Sequence, residues 1–486
     1  MILQSIIYPC DVCEQKEIYY QSEQRLIQYE DKVIVPTDSK VSFFSYMNAF
    51  DCDVWKKYTS ISNVQFLMKL TGKGCVALRC KTKEKDVLLE EQRFDILASA
   101  WKEIIFELNL KEQEGFCYFE IISESAIQIK TARFETQEKS EREVHIALNI
   151  CTYHRNQEIK ENIAQLRKSR FFNRDDSLYH KLSVVVVDNG SELEKIKDSN
   201  IRLVHNRNTG GSGGFKRGLE ELRKWDVPIS HVVFMDDDVE FVTESLYRLY
   251  ALLSYLRREY WHEPVAGRMF RTDNRFIQYT AAEIWNKGEL RHIGLNADMT
   301  QECQVLLCNE NGGAEYGGWW FCCYPMEFAR ENDPLPFFIH CDDVEYGLRH
   351  GGTPIILNGV QVWHETYEYR QSLEMLYYDT RNSLIVNILY TEKNKEIIFA
   401  DWKEKITAFH VKNEFLSELI VIHAMHDFLK GRKWFLKKGK TRFKVNLQMS
   451  DESIKLINKI YWRYCKHLFL NKYDKLLINY RKGMNK

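Results

Sequence analysis

Hydrophobic residues change their spacing twice along the 486-residue chain. Over the first ~144 residues, short runs rich in Val, Ile, Phe and Tyr at 33–36, 41–46, 75–80, 116–122 and 126–134 are separated by polar, charged or Gly-containing breaks. Strand-type runs with no helical pattern between them predict an antiparallel β-sandwich. From His145 the pattern alternates. The apolar runs 146–153, 182–188, 201–205 and 231–235 predict buried strands, and 158–168 and 215–224 predict intervening helices. Leu246, Leu249, Leu253 and Leu256 mark one face of a further helix, with Thr243 as its expected N-cap. This alternation predicts an open parallel α/β sheet whose ligand site lies beyond the carboxyl ends of the strands. From about Gln371 the pattern is helical, with Ile457, Ile460, Tyr461, Tyr464 and Leu468 expected on one face. The expected organisation is a β-sandwich at 1–144, an α/β domain at 145–370 and a helical region at 371–486.

Charge alters this picture only when resolved by segment. The 68 Lys and Arg against 69 Asp and Glu leave a net charge of -1, which gives no electrostatic footprint for nucleic acid. From Lys430 onward, however, 17 basic residues face three acids, a net of +14 that leaves -15 on residues 1–429. Interleaved with Trp434, Phe435, Tyr461, Trp462 and Phe469, those cations predict a surface for anionic lipid headgroups, against the alternative of a solvated helical face. The 13 cysteines are odd in number and irregularly spaced, and Cys10 and Cys13 form a C-x-x-C with no second pair, so free thiols in a reducing compartment are expected. The first residues lack a cationic signal-peptide region, and no run approaches the ~18 apolar residues of a membrane span. The expectation is a cytoplasmic protein, peripheral on the inner face of the membrane. A homo-oligomer is possible.

Four strings carry candidate chemistry. Asp188 and the run Asp236-Asp237-Asp238 each end an apolar strand. Carboxylates clustered there need a cation or a hydrogen-bond network, and hard divalent ions suit them; the alternative is Asp capping the next helix. The segment from Asn208 to Phe215 (NTGGSGGF) is either an anion-binding glycine loop or a tight turn, and it fails both the G-x-G-x-x-G and the P-loop patterns. In FFIHCDDVEYGL, Asp342 and Asp343 open a helical stretch, as N-caps or as acids available for proton transfer. His364 ends the strand-like VQVWH, either as a structural residue or as a metal ligand beside the acids.

Taken together, these strings resemble the GT-A-fold glycosyltransferases of family 2. The longer strings N-x-G-G-S-G-G-F, FMDDD, GGWW, PLPxFI-x-x-DD-x-x-YGLR and VWH, with SYMNAFDCDVWKKYT at 45–59, resemble its polymerising galactofuranosyltransferases of the mycobacterial galactan type. The resemblance implies a GT-A (Rossmann-like) nucleotide-sugar domain between an N-terminal β-sandwich and C-terminal helices. It implies that Thr152, Arg155 and Asp188 hold uridine, with Asn208, Gly210, Gly211 and Asp237 on the nucleotide sugar. Asp236, Asp238 and His364 would bind Mn²⁺ or Mg²⁺, and Asp343 would be the general base of an inverting transfer from UDP-galactofuranose to a glycan or glycolipid. Asp342, Glu283, Trp319 and Trp320 would contact the acceptor, the two Trp as an apolar platform. The sequence departs from the pattern with Tyr279 four residues ahead of Glu283, and with Cys341 ahead of the acid pair. Both departures lie on the acceptor side. A rhamnosyl- or glucosyltransferase on the same scaffold, and a catalytically silent carbohydrate-binding component, are the alternatives.

Overall fold

The computed structural model describes all residues except 98, 197, 287, 368–371, 392–394, 445–448 and 483–486. The expected boundary at 370/371 lies outside the described residues. The N-terminal region is a ten-stranded antiparallel network organised by one long strand, Asn63–Lys81. Its first half pairs with Lys102–Asn109 and Ile127–Glu135, and its second half with Asp86–Ile96 and Phe116–Ser123. One strand therefore belongs to two leaves. The change of leaf occurs at Gly72, whose φ of +106° and 2.6 Å approach of a built Cβ to the Ala126 carbonyl exclude a side chain. Phe66, from the first half, stacks on Phe119 at 4.5 Å between ring centroids, and Phe50 stacks on Phe134 at 4.7 Å, closing the core between the leaves.

The second sheet has the order 201–205, 182–188, 146–152, 231–236, 321–325, 265–271, 277–280, 297–298. The first four strands are parallel and His231–Asp236 pairs antiparallel with Phe321–Pro325. Val184 to Val187 are wholly buried on both faces, which explains the uninterrupted valine run. The connection order reverses between Ile146–Thr152 and His231–Asp236, the position at which open α/β sheets bind ligands. Helices Asn156–Arg167, Gly210–Leu222 and Thr243–Tyr255 cover this sheet. The last is preceded by Val242 with no side-chain cap, so Thr243 begins the helix instead of capping it.

The sandwich is bolted to the strand that carries His364. Within Ile355–His364, Asn358 donates to the Tyr46 and Ala49 carbonyls at 2.9 and 2.8 Å, and the Tyr46 hydroxyl donates to Gln361 at 2.9 Å. Beneath it the buried Arg248 donates to the Met47 carbonyl at 2.7 Å and pairs with Glu244, which accepts from the Ser5 backbone N–H. Removing either partner would leave an uncompensated buried charge.

Helices Leu373–Tyr390, Lys395–Val411, Phe415–Leu429, Arg432–Lys438 and Asp451–Arg481 form the remaining layer. Ile454, Asn458, Cys465, Phe469, Tyr473, Leu476 and Tyr480 of the last helix face inward. The expected apolar face is divided: Ile460 is 62% and Tyr464 51% exposed, with Leu456 beside them at 61%. The inward stripe includes Asn458, whose side chain donates to the Phe415 carbonyl, and a polar residue conceals that face from a hydrophobicity pattern. No described helix is long and apolar enough to cross a membrane. All thirteen cysteines are free.

Candidate active site at the carboxyl ends of the strands

Strand Ile146–Thr152 ends at Thr152, and Arg155 sits at the N-cap of the following helix. Its Nη1 lies 2.8 Å from both Asp237 Oδ1 and Asp238 Oδ2, so the guanidinium spans two of the three consecutive acids. Burial raises the Asp237 carboxyl, against the opposing effect of Arg155. The Asp237 carbonyl accepts from Asn162 at 3.0 Å, which ties the acidic turn to that helix.

The loop beyond Asp238 folds back onto the end of Ile355–His364: Trp363 N–H donates to the Glu240 carbonyl at 2.7 Å and Glu240 N–H to the Trp363 carbonyl at 2.9 Å. This backbone bridge places the buried His364 against the acids. Its Nε2 lies 3.1 Å from Asp238 Oδ1 and 3.7 Å from Asp236 Oδ2. Asp236, Asp238 and His364 each offer a ligand atom within 4.8 Å of the others. Two carboxylate oxygens and one imidazole nitrogen fit Mn²⁺ or Mg²⁺, with positions left for water and phosphate.

The glycine-rich segment is a helix and not a loop. Gly210–Leu222 begins five residues earlier than the sequence pattern suggests. Glycine is unfavourable in a helix, but here the missing side chains of Gly210 and Gly214 make room for neighbours. A Cβ on Gly210, at φ +73°, would lie 2.0 Å from the Phe338 carbonyl oxygen; on Gly214 it would lie 2.1 Å from Cys151 Sγ. Asn208 accepts from the Gly210 N–H at 2.9 Å, and Gly211 is half-buried in the first turn. Close packing against strand 146–152 and the 338 loop is therefore what these glycines serve locally. The packing brings Ser212 to the acid pair, where its hydroxyl donates to Asp342 Oδ2 at 2.7 Å.

Asp342 and Asp343 open the helix Asp342–His350, but neither is its N-cap. That position is Cys341, which makes no side-chain cap. Phe338, His340 and Cys341 all have positive φ, of 77°, 62° and 62°. Strain of this kind persists only where surroundings impose it. Here Arg381 donates to the Phe337 carbonyl at 2.6 Å, and Asn382 to the Ile339 and His340 carbonyls at 2.7 and 2.9 Å. Burial raises the Asp343 carboxyl well above its ordinary value, and the charges of Asp342, Glu283 and Asp236 raise it further. Burial raises Asp342 as well, opposed by the Ser212 bond.

Glu283 is buried, with His292 Nδ1 2.9 Å from its Oε1. Asp188 presents the opposite electrostatics. Its carboxylate accepts from the backbone N–H groups of Gly190, Ser191, Glu192 and Leu193 at 2.7–2.9 Å. Burial alone would raise it, but those four donors together hold it below the usual range.

The two tryptophans depart from expectation. Trp319 stacks on Phe234 at 4.4 Å and meets Phe215 and Tyr346 edge-on, while the buried Trp320 donates its indole N–H to the Gly267 carbonyl at 2.8 Å. Both are packed as core instead of forming an open platform, because the strand they lead into, Phe321–Pro325, is central in the sheet and draws them under it. Sequence reasoning missed Ser212, Asn189 and His292. Asn189 donates to the Gly210 carbonyl at 3.0 Å and so locks two strand-end loops together; the Asn-Gly after a strand signals a turn, not this bond.

Residues 4–137 match the family model for the galactofuranosyltransferase 2 N-terminal region, and residues 148–296 match that for glycosyl transferase family 2. The chain is 26% identical over 427 residues to the galactofuranosyltransferase GlfT2 of Mycolicibacterium smegmatis, covering 81% of this chain and 64% of that protein. It is 25% identical over 436 residues to GlfT2 of Mycobacterium tuberculosis, covering 82% and 66%. The chain thus spans just under two thirds of the length of these relatives. A mannosyltransferase from Pyrobaculum calidifontis, solved with GDP-Man and Mn²⁺, aligns at a TM-score of 0.31 and 12% identity, covering 72% of this chain and 92% of that one. A likeness of that size carries no argument.

Proposed function

With residues 148–296 forming a glycosyltransferase family 2 domain of the GT-A α/β class, we propose that the chain is an inverting, metal-dependent galactofuranosyltransferase, with UDP-galactofuranose as donor and a hydroxyl of a lipid-linked or free glycan as acceptor. The observation that carries this reading is the convergence of two chemically different acid sets: Asp236, Asp238 and His364 as a ligand group, and the adjacent Asp342–Asp343 pair, whose Asp343 feels the charge of Asp236. Similarity to the galactofuranosyltransferases of both N-terminal and catalytic regions supports the choice of sugar.

In the proposed reaction the acceptor oxygen attacks the anomeric carbon, its proton passes to Asp343, and the bond from that carbon to the diphosphate oxygen breaks on the opposite face. Asp236, Asp238 and His364 would hold a divalent cation, which would supply positive charge against the charge on the departing diphosphate. Thr152, Arg155, Asp188, Asn208, Gly210, Gly211 and Asp237 line the donor side of this reading. A raised Asp343 suits a group that must accept a proton near neutral pH. Incubation with UDP-galactofuranose and Mn²⁺, with and without a galactofuranosyl acceptor, tests the assignment by UDP release. Turnover above background is expected, and turnover with dTDP-rhamnose or UDP-glucose alone would overturn the donor.

A membrane-docking face is part of the same proposal. Leu456, Ile460 and Tyr464 stand exposed on helix Asp451–Arg481 among the exposed Lys455, Lys459, Arg463 and Lys466. Apolar residues fringed by cations suit an anionic bilayer surface. Because Phe469 and Tyr480 of the same helix are core residues, deleting the tail would unfold the layer. Replacing Leu456, Ile460 and Tyr464 with Ser is the cleaner test: co-sedimentation with phosphatidylglycerol vesicles should fall, and unchanged binding would refute the assignment.

A further inference from the structure

Glu283 and His292 belong to a two-stranded hairpin, Glu283–Asn286 with Glu289–His292, that joins neither of the large sheets. Register places the two residues directly opposite each other, the closest relation two side chains on adjacent strands can have. An isolated hairpin is marginal by itself, and this one is pinned to the site. Glu283 exchanges backbone hydrogen bonds with Tyr316 at 2.9 and 3.2 Å, Trp285 N–H donates to Glu315 at 2.6 Å, and the Trp285 indole donates to Asn387 at 2.9 Å. The hairpin is thus a small separate element held between the catalytic sheet and helix Leu373–Tyr390, and it presents one buried carboxylate to the acid pair.

That carboxylate stands in an already negative neighbourhood: its charge, with those of Asp342 and Asp236, acts on Asp343. A buried carboxylate in such company requires a compensating partner. The buried Tyr316 interacts with Glu283, and a basic partner beside that carboxylate is His292, whose Nδ1 lies 2.9 Å from Glu283 Oε1. Its other ring nitrogen lies 3.5 Å from the Tyr279 hydroxyl, and the Tyr279 and His292 rings meet edge-to-face at 4.9 Å. The imidazole is thus clamped on one side by an aromatic ring and on the other by the carboxylate. The His292 side chain is 15% exposed, so the pair is not sealed from solvent.

We propose that His292 is a positioning residue of the acceptor side: it holds the Glu283 carboxylate in one orientation, so that Glu283 receives a sugar hydroxyl while Asp343 takes the proton of the attacking one. The ligand class is a polyhydroxylated glycan end, since the free lone pairs of a fixed carboxylate select hydroxyl donors. The inference rests on the proposed transferase reading for the identity of the acceptor, and its test is separable from the donor assignment.

The measurement is calorimetric titration of the full chain, saturated with UDP and Mn²⁺, with a synthetic galactofuranosyl trisaccharide. His292→Ala should weaken trisaccharide binding about tenfold, the scale of leaving one buried polar group without its partner, while UDP affinity stays at the wild-type value; the melting temperature should fall modestly, since Glu283 loses its compensating neighbour. His292→Gln, whose amide can still donate to Glu283, should recover most of the loss. In a Glu283→Gln background His292→Ala should have no further effect. Arg291→Ala, exposed on the same strand, should bind as wild type and serves as the control for hairpin damage. Trisaccharide affinity within twofold of wild type for His292→Ala, an equal loss of UDP affinity, or failure of the wild type to bind the trisaccharide would each overturn the inference. A wild type that binds the trisaccharide but does not turn over UDP-galactofuranose would sink the donor assignment and leave this inference standing.

Discussion

Asp188 and Asp343 are both carboxylates at the ends of secondary elements, yet the protein treats them in opposite ways. Asp188 receives four backbone N–H groups and is held as the anion, so it is a fixed part of the 189–193 loop. Asp343 receives one N–H, from Val344, and burial, followed by the charges of neighbouring carboxylates, favours its protonated form. Saturation with donors makes an acid structural; withholding donors and adding like charge makes it available for proton transfer.

The largest expected effect comes from removing the reactive member. Asp343→Asn should lower transfer by roughly 10²–10⁴-fold, the range of a general base, and leave UDP binding intact in calorimetry. The same substitution should raise the melting temperature, because it removes a carboxylate whose charged form burial and neighbouring acids both disfavour. The sign follows from linkage. A carboxyl raised in the fold takes up protons on folding, so its stabilising contribution is present below the unfolded value of about 4 and is lost as pH rises through the raised folded value. The gain from Asp343→Asn should therefore grow with pH above about 4. A gain that is flat with pH would mean that Asp343 is not repelled.

The metal group provides the next effect. Mn²⁺ at about 100-fold over its dissociation constant should stabilise the wild type by about 2.7 kcal/mol, read as a shift in thermal unfolding. His364→Ala and Asp238→Asn should abolish most of that shift and leave the metal-free protein folded. A shift that survives both substitutions would place the ion elsewhere and break the link between the metal group and the acid pair.

Asp188→Asn should act with the opposite sign from Asp343→Asn. An amide offers one oxygen to four N–H groups and turns its own donors toward the others, so a loss of about 2–3 kcal/mol is expected, measured by denaturant unfolding. Asp188 lies low in the fold, so its contribution is present above about 4 and is lost as pH falls through the depressed value. Wild type minus variant should converge in acid. Persistence of the difference at low pH would show that the amide bonds do not depend on the charge.

How much of this contrast the sequence reveals depends on the range of the interactions. The strand 182–188 is recovered to the residue because a parallel strand buried on both faces leaves a continuous apolar run; the edge strand 201–205, only half buried, is recovered as well from its Ile, Leu and Val. The strand 63–81 was seen only in part, since its alternation is broken where it changes leaf at Gly72. Helix 210–222 began earlier than expected because glycine in a sequence signals a break, whereas here it allows close contact with Phe338 and Cys151. Asp236, Asp238 and His364 are adjacent in the fold as their strand-end positions imply. The role of Trp319 and Trp320 was misjudged because burial is set by the sheet, and Gly-Gly-Trp-Trp reads equally as edge or core. His292 could not be found at all: its relation to Glu283 is created by hairpin register and has no motif.

The smallest expected effect tests how finely the acid pair is graded. Ser212 gives Asp342 the one side-chain donor that opposes its burial, an intermediate state between the four donors of Asp188 and the single backbone donor of Asp343. If donor count sets the role of each acid, Ser212→Ala should move Asp342 toward protonation and slow transfer by less than about tenfold, the worth of roughly 1 kcal/mol for one hydrogen bond. Because a protonated Asp342 repels Asp343 less, the pH at which activity rises should move down, not up, for the base itself. A variant that loses as much activity as Asp343→Asn would show that Ser212 holds the helix Gly210–Leu222 against the acid pair as a structural bolt, and that the grading by donors stops at Asp188.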